Sequence, residues 1–345
     1  MLFAWAFFIS FITALLLTPA VRIAALRFGA IDSPGPRKIH QKPTPLLGGL
    51  AMYLAVSFSA VLFLNLGYLT TGTITATQIG SIILGGGFLM LGGYLDDRYN
   101  LKPLQQFLFP AIAIILVVLS GISIKFVTNP FGGVLLIPPA VGVALTMLWM
   151  LGMSYTTKLL DGLDGLTTGI TAIGSLLIFL VSLTWDVPQS GTSILALIVA
   201  GAAAGFLAYN WHPAYIFLGE GGSVFCGFLL GILAIISGSK IATALLIMGI
   251  PVLDVAWVIL RRLIQGKSPA QADRKHLHFR LLDIGLTHRQ AVITLYAVTA
   301  AFGASSLFLQ SFGKVIALLI LAAFMLVLAL SLILVYNLKN KPHRQ

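Results

Sequence analysis

The stretch GSIILGGGFLMLGGYLDDRYNLKP, residues 80–103, joins an uncharged apolar run to two adjacent aspartates, Asp96 and Asp97. Apolar runs of about 17–25 residues are long enough to cross the hydrocarbon core of a bilayer. The stretch therefore predicts a membrane-spanning helix that ends in a pair of carboxylates at one membrane surface.

The composition of the whole chain agrees with this interpretation. Of its 345 residues, 58% are hydrophobic and 9% are charged, and the mean hydropathy is +1.00. A soluble domain carries roughly 25% charged residues, so the composition excludes that class and predicts one all-α polytopic membrane domain over residues 1–345. The first run, MLFAWAFFISFITALLLTPAV, lacks basic residues at its start and a cleavage signal, and we expect a first span rather than a signal peptide.

Apolar runs predict about eleven transmembrane helices. They lie at residues 2–22, 47–66, 78–94, 104–122, 134–153, 166–184, 192–209, 222–238, 241–260, 291–308 and 315–337.

The connections between these runs fall into two sets that differ in charge. One set holds every Lys and Arg except Lys125, Lys240 and Lys314. It comprises residues 22–46, 95–103, 154–165, 210–221 and 261–290, and the tail from residue 338. Because cytoplasmic loops carry such an excess, we expect this set inside, with the N-terminus outside and the C-terminus cytoplasmic.

The acidic residues lie on the same side as the basic ones. Of the ten Asp and Glu, only Asp186 falls in an outer connection, and the middles of the runs are nearly free of ionisable groups. A transporter is expected to carry ionisable groups along its path. The distribution favours chemistry at the inner surface, with a polytopic transporter as the non-enzymatic alternative.

Two acidic motifs are candidates for that chemistry. Asp96 and Asp97 repel each other unless a cation shares their site, and Mg²⁺ prefers such oxygen ligands; a solvated helix end is the alternative. In KLLDGLDGLTTG, residues 158–169, the spacing of Asp161 and Asp164 predicts one face of a helical turn at the start of the sixth run. Helix capping is the alternative for these aspartates.

Two further motifs suit a phosphate ligand. FLGEGGSVFCG, residues 217–227, places Glu220 in a glycine-rich turn just before the eighth run, where backbone N–H groups bind phosphates at a helix N-terminus; loop flexibility is the alternative. The longest inner loop, residues 261–291, combines seven Lys and Arg with three histidines. The two-residue spacing of His276 and His278 and the absence of cysteine partners disfavour a zinc site. The Lys, Arg and His side chains favour a phosphate or pyrophosphate, with anionic lipid as the alternative.

Six motifs in order resemble the polyprenyl-phosphate N-acetylhexosamine-1-phosphate transferases of the glycosyltransferase family 4 type. The chain is most similar to the branch that uses undecaprenyl phosphate and GlcNAc-1-phosphate. The motifs are RKIHQKPTPLLGG (37–49), GGYLDDRYNL (92–101), DGLDGLTTG (161–169), GEGGSVFCG (219–227), PVLDVAWVILRR (251–262) and HLHFRLLDIGLTHRQA (276–291).

The resemblance implies a reaction and its setting. UDP-N-acetylhexosamine, with GlcNAc as the expected sugar, and undecaprenyl phosphate give the lipid-linked diphospho-sugar and UMP, with Mg²⁺ or alternatively Mn²⁺. This is the first membrane step of cell-envelope glycan synthesis, at the cytoplasmic face of a bacterial plasma membrane. A homodimer in the bilayer is expected, and a nucleic-acid partner is not.

The resemblance also implies roles for individual residues. The expected catalytic residues are Asp96, Asp97, Asp161 and Asp164; the metal ligands are Asp97 and Glu220; the substrate-binding residues are Lys38, His40, Lys158, His276, His278 and Arg280.

The chain departs from the family pattern at two motifs. Glu220 stands where the family carries Asp, and Tyr155 and Lys158 replace two asparagines. Lys158 either contacts a substrate phosphate or partly neutralises the carboxylates. The muramoyl-pentapeptide branch, with three successive histidines followed by Phe-Glu, is the enzymatic alternative. The CDP-alcohol phosphotransferases require an Ala-Arg after Asp-Gly, which DGLDGLTTG lacks.

Overall fold

The computed structural model of the chain describes residues 1–34, 42–72, 74–185, 189–238, 240–266 and 276–339. Over these residues the chain is mainly helical, and its strands form two small antiparallel two-stranded sheets. The helices are α1 (Leu2–Phe28), α2 (Gly48–Asn65), α3 (Ala76–Tyr99), α4 (Pro103–Leu119), α5 (Pro139–Leu160), α6 (Leu166–Trp185), α7 (Gly191–Asn210), α8 (Gly219–Ile236), α9 (Ile241–Ile247), α10 (Gly249–Ile264), α11 (Leu277–Asp283), α12 (His288–Phe308) and α13 (Ser311–Lys339). Strand β1 (Ile31–Asp32) pairs with β2 (Thr44–Pro45), and β3 (Phe126–Thr128) with β4 (Val134–Leu136).

Most of these helices are long and apolar enough to cross a bilayer. Within the described residues there are nine such helices, or ten if the bent pair α9–α10 counts as one span. Helix α4 is apolar but has only 17 residues. A helix occupies each predicted apolar run, which confirms the all-α polytopic membrane architecture. The count of about eleven spans and their orientation stay predictions.

Helices α7 and α8 form the centre of the molecule. Their apolar segments are 83% and 89% buried, against 22% for α1. Because lipid tails are as apolar as the side chains, helices in a membrane associate by close packing, which small residues allow. A Cβ on Gly201 or Gly205 of α7 would lie 2.2 or 2.3 Å from a carbonyl oxygen of α1. These glycines therefore let α1 pack directly against α7.

The same kind of contact brings α3 against the start of α8. A Cβ on Gly93 would lie 2.1 Å from the backbone nitrogen of Gly221. The two backbones touch there without any side chain between them. This contact places the last turns of α3, with Asp97, next to the first turn of α8, with Glu220.

Three of the helices that extend beyond the predicted apolar runs carry charged motifs in the added turns. Helix α3 continues past residue 94 and α5 past residue 153, while α8 begins before residue 222. Asp96, Asp97 and Lys158 therefore lie in the last turns of helices, and Glu220 in the first turn of α8, where loops were expected. The hydropathy of the sequence falls at the first charged residue of each motif, so the predicted runs end there. The backbone nevertheless stays helical, because these charged side chains have polar partners in the fold.

The prediction that Asp161 and Asp164 share one face of a helical turn is wrong. Asp161 is the C-cap of α5, with φ −74° and ψ 51°, and α6 begins only at Leu166. Gly165 has φ +79°, a left-handed conformation that glycine adopts without steric cost. The two carboxylates thus lie on a tight non-helical link, the DGLDG turn (residues 161–165).

The prediction of one continuous helix over residues 241–260 is also wrong. Helix α9 ends at Ile247, and α10 starts at Gly249 with a change of direction of 78°. Pro251 has no N–H to donate, so it is tolerated in the first turn of a new helix but breaks a continuing one. On α10, Asp254 lies within hydrogen-bonding distance of His276.

Candidate active site

The carboxylate of Asp97 lies against the first turn of α8. Both of its oxygens are 3.2 Å from the backbone nitrogen of Glu220, whose N–H they accept. The first N–H groups of a helix have no partner within the helix, so a carboxylate there is a favourable acceptor. Gly219 permits the approach, because a Cβ on it would lie 2.5 Å from Asp97 Oδ2 and because its φ is +74°.

A chain of polar contacts joins Asp97 and Glu220 to helices α4 and α5. Gln106 Nε2 donates to Asp96 Oδ1 at 3.0 Å, and Gln106 Oε1 accepts from Lys158 Nζ at 3.0 Å. Lys158 Nζ also pairs directly with Glu220 Oε1. These five residues form the carboxylate network. In it the Lys158 ammonium sits on a carboxylate, which is the second of the two roles inferred from the sequence.

Asp161 lies close enough to Glu220 for the two charges to interact. It is surrounded by protein atoms, although part of its surface still reaches solvent. Burial raises the pKa of Asp161 to about 7; the Thr167 hydroxyl opposes this shift, and the charges of Glu220 and Asp164 add to it. A carboxyl group with this pKa exchanges a proton near neutral pH, which suits acid–base chemistry.

Asp164, at the other end of the DGLDG turn, is bound to the α7–α8 link. Its Oδ2 is 2.6 Å from His212 Nδ1 and accepts the N–H of Ala214 at 3.2 Å. The ring of His288, from the start of α12, stacks on His212 with 3.9 Å between centroids and 13° between planes. The guanidinium of Arg289 donates to the carbonyl oxygen of His212.

Asp164, His212 and His288 have the residue types of a metal site, and their ligand atoms lie within 4.8 Å of one another. The stacking argues against that role. The lone pair of an imidazole nitrogen lies in the ring plane, so two nearly parallel rings direct their lone pairs along parallel planes rather than to one point. A shared ion would require one ring to rotate out of the stack. The cluster is therefore a hydrogen-bonded Asp–His pair with a second ring packed on it.

Asn210, the last residue of α7, fixes the DGLDG turn from the other side. Its Oδ1 accepts the N–H of Gly165 at 3.1 Å and the hydroxyl of Thr168 at 2.8 Å, and its Nδ2 donates to the carbonyl of Ile216 at 3.0 Å. The hydroxyl of Tyr296 donates to the carbonyl of Gly165. The turn is thus held by α6, α7 and α12 together.

Two predicted substrate-binding histidines are buried beneath this turn. His276 Nδ1 is 2.8 Å from Asp254 Oδ2, and the Leu277 N–H binds Asp254 Oδ1 at 2.9 Å. His278 is 2% exposed, and a Cβ on Gly162 would lie 2.2 Å from its Nε2. Burial, together with the smaller effect of the neighbouring His276 and His288, lowers the pKa of His278 to about 3. It is therefore a neutral ring that supports the DGLDG turn.

Arg280, the remaining predicted residue that the structure describes, lies apart from the carboxylate network. Arg280, on α11, lines a separate cavity together with Asp254 and Trp257. Lys38 and His40 lie outside the described residues.

Asp97 and Glu220 provide the oxygen donors that Mg²⁺ prefers, and Mg²⁺ in proteins usually takes one or two carboxylates with waters and substrate phosphates. The lack of a side chain on Gly219 lets the Asp97 carboxylate reach the first turn of α8, since a Cβ there would lie 2.5 Å from Asp97 Oδ2. Among the described residues, Asp96, Asp97, Asp161 and Glu220 do not form a group of three whose ligand atoms lie within 4.8 Å. Asp97 and Glu220 lie close enough for their charges to interact, and such a carboxylate pair fits the oxygen donors that Mg²⁺ takes from a protein.

Known proteins agree with this arrangement of motifs. A model of the family described as glycosyl transferase family 4 matches residues 79–238. The probable undecaprenyl-phosphate N-acetylglucosaminyl 1-phosphate transferase of Bacillus subtilis (strain 168) is 34% identical over 316 residues, which cover 89% of this chain and 84% of that protein. The chain belongs to glycosyl transferase family 4.

Two other family members show how far the similarity extends. The decaprenyl-phosphate N-acetylglucosaminephosphotransferase of Mycolicibacterium smegmatis is 34% identical over 313 residues, covering 83% of this chain and 77% of that protein. The undecaprenyl-phosphate alpha-N-acetylglucosaminyl 1-phosphate transferase of Escherichia coli (strain K12) is 28% identical over 295 residues, covering 81% and 77%. The segment that the family model matches contains the whole carboxylate network and the DGLDG turn.

Sequence reasoning missed four residues of this family member's site: Gln106, Asn210, His212 and Asp254. Gln106 and Asp254 lie inside apolar runs, and polar or ionisable groups in such runs are themselves a signal of function. Asn210 and His212 follow an apolar run directly, as Asp96 and Asp97 do. Their partners are distant in sequence, so only the fold identifies them.

Proposed function

We propose that this chain transfers GlcNAc-1-phosphate from UDP-GlcNAc to undecaprenyl phosphate and releases UMP, at the cytoplasmic face of a bacterial plasma membrane. The observation that carries the proposal is the meeting of Asp97 and Glu220 at the ends of two apolar helices. That position suits an enzyme whose acceptor lies in the leaflet and whose donor comes from the cytosol. The names of the relatives support the choice of sugar and acceptor.

An apolar cavity beside Asp97 supports an amphiphilic acceptor. The cavity has about 260 Å³ and lies between α1, α2, α3 and α8. Its walls are apolar side chains and glycines, among them Leu47, Leu50 and Met90, and Asp97 contributes the carboxylate. A prenyl chain here would place its phosphate next to the carboxylate network.

The polar groups on the opposite side support a nucleotide diphosphate donor. Lys158, Asp161 and the backbone of the DGLDG turn lie beside Glu220. The α11 segment packs under that turn through His278, so it belongs to the same site. We assign Lys158 to the phosphates of the donor, and His276 and His278 to holding the α11 segment in place; a donor contact of Arg280 stays a prediction from the resemblance.

Asp97 and Glu220 would hold Mg²⁺, which neutralises the diphosphate and makes its phosphorus more electrophilic when bound. Asp96 is held through Oδ1 by the Leu101 N–H at 2.8 Å and by Gln106 at 3.0 Å, and we assign its second oxygen to the acceptor phosphate. An acceptor phosphate oxygen forms a bond to the phosphorus that bears the sugar. The bond from that phosphorus to the bridging oxygen breaks, and UMP leaves. Positioning of the reactants and charge stabilisation dominate such transfers.

The orientation of the chain follows from the charge distribution, and we propose about eleven spans, with the N-terminus outside. A homodimer stays a prediction from the resemblance.

The reaction is tested with purified protein, undecaprenyl phosphate and labelled UDP-sugars. We expect release of UMP and formation of the lipid-linked product from UDP-GlcNAc. UDP-GalNAc and UDP-MurNAc-pentapeptide serve as competing donors. Turnover of the pentapeptide donor alone would contradict the proposed branch, and movement of a UDP-sugar across sealed vesicles without UMP release would favour a transporter.

A further inference from the structure

The two departures from the family pattern meet in space. Lys158 and Glu220 are 62 positions apart in a chain of 345 residues, yet Lys158 Nζ contacts Glu220 Oε1 directly. Both side chains are 21% exposed, so the pair is partly shielded from water. Glu220 in place of an aspartate and Lys158 in place of an asparagine therefore form one ion pair rather than two unrelated substitutions.

The side chains around Lys158 hold its ammonium group next to the Glu220 carboxylate, where it balances the negative charge. Its ammonium has three donor positions, and Glu220 and Gln106 take two of them. The aromatic ring of Tyr155, which replaces the other asparagine, lies 5.6 Å from Nζ. All three partners attract a cation, and Gln106 also binds Asp96.

An ammonium and a divalent metal cannot both bind one carboxylate oxygen without repelling each other. A hard metal prefers a carboxylate whose charge is free, and Lys158 removes part of that charge from Glu220. An asparagine at position 158 would be neutral and would exert no such repulsion. The residue at this position therefore affects how strongly Glu220 binds a metal.

We propose that Lys158 is a built-in counter-cation that competes with the divalent metal for Glu220 and so sets the affinity of the metal site. This rests on the proposed function, in which Glu220 is a metal ligand. On metal binding the ammonium leaves Glu220 while it stays within reach of Gln106, and it becomes available to an oxygen of the donor diphosphate. One lysine thus serves both of the roles inferred from the sequence, at different stages.

The test measures metal binding in the absence of substrates. Mn²⁺ is titrated into the detergent-purified full chain, and free Mn²⁺ is followed by electron paramagnetic resonance, with Mg²⁺ as a competitor. We expect Lys158→Gln to bind Mn²⁺ on the order of tenfold more tightly than the unchanged chain, because a charge-assisted hydrogen bond to a competing cation is lost. Lys158→Arg keeps the charge and is expected to bind like the unchanged chain.

Two controls make the result specific. Lys102→Gln removes an exposed positive charge near the same helix ends and is expected to leave Mn²⁺ affinity unchanged. Glu220→Gln is expected to lose the site, and Lys158→Gln added to it is expected to restore nothing. Equal or weaker Mn²⁺ binding in Lys158→Gln than in the unchanged chain would overturn the proposal while leaving the metal site intact. Absence of Glu220-dependent binding in every variant would overturn the metal site itself and the proposal with it.

Discussion

At the scale of single residues, Glu220 divides its functions between backbone and side chain. Its N–H binds the Asp97 carboxylate, while its own carboxylate turns to Lys158. The extra methylene relative to the aspartate of the family pattern gives the side chain the reach for this second contact. The sequence made Asp97 and Glu220 candidates because charged groups at the ends of apolar runs are conspicuous, and it made Lys158 a candidate because it departs from the pattern of the family that the chain resembles. It did not show that Lys158 and Glu220 are partners, because nothing in a single sequence records a contact between distant positions.

Asp97→Asn is expected to lower the rate of UMP release at least about a hundredfold. The amide keeps the shape of the side chain but removes the charge that binds the Glu220 N–H and would bind the proposed metal, a loss of several kcal/mol if both contacts act in the transition state. Steady-state rates with UDP-GlcNAc and undecaprenyl phosphate measure the effect. Asp283→Asn, an exposed carboxylate on α11, is the matched control and is expected to keep its activity. A rate for Asp97→Asn within a factor of ten of the unchanged chain would remove Asp97 from the chemistry.

His278 is expected to make the free energy of unfolding depend on pH below neutrality. Its pKa is about 3 in the folded chain and about 6.5 when unfolded, so between these values the unfolded state binds a proton that the folded state does not. Stability is therefore full above about pH 6.5 and falls as the pH drops, at up to about 1.4 kcal/mol per pH unit. Thermal unfolding of the unchanged chain and of His278→Asn, between pH 4.5 and 8, measures the difference. An identical pH dependence in both would show that His278 is not the buried neutral ring described here.

At the scale of the helices, glycines determine which carboxylates meet. The sequence predicted where helices lie, because an apolar run long enough to span a bilayer has few other structures available to it. It did not predict how α3 and α8 touch, because a glycine in an apolar run signals close packing without naming the partner. The break between α9 and α10 was missed for a related reason: Gly249 and Pro251 are tolerated in membrane helices, so they indicate a bend only once neighbouring helices are known.

Gly93→Ala is expected to destabilise the protein by roughly 1–3 kcal/mol, as overpacking does, and to weaken Mn²⁺ binding. The added Cβ would lie 2.1 Å from the nitrogen of Gly221, so α3 and α8 must move apart and carry Asp97 away from Glu220. The thermal unfolding midpoint and the Mn²⁺ titration measure both effects. Gly80→Ala, on the same helix, meets no atom within 4 Å and is expected to be neutral or slightly stabilising. Equal behaviour of the two variants would contradict the role given to the α3–α8 contact.

At the scale of the whole molecule, the described fold gathers the polar groups that sequence analysis placed on one side of the membrane. The ends of α3 and α5, the start of α8 and the DGLDG turn lie together, and α10, α11 and α12 supply Asp254, His276 and His288 around them. The charge rule alone predicted this common side. The contacts within that group of residues depended on the fold. Asp161 interacts with Glu220, Asp164 binds His212, and both His276, the N-cap of α11, and His278 are buried.

The orientation of the whole chain is tested with introduced cysteines, because its one natural cysteine, Cys226, is buried. In a Cys226→Ala background, Lys125→Cys lies just before β3 in a predicted outer connection, and Lys102→Cys lies just before α4 in a predicted inner one; both positions are exposed. A membrane-impermeant thiol reagent is expected to label Lys125→Cys in cells whose plasma membrane is intact, and Lys102→Cys only after that membrane is opened. Lys102 is five residues from Asp97 in the chain, so its position reports the side on which the carboxylate network lies. Labelling of Lys102→Cys in cells with an intact plasma membrane would place the network outside, where a cytosolic UDP-sugar does not reach it, and would contradict both the orientation and the proposed donor.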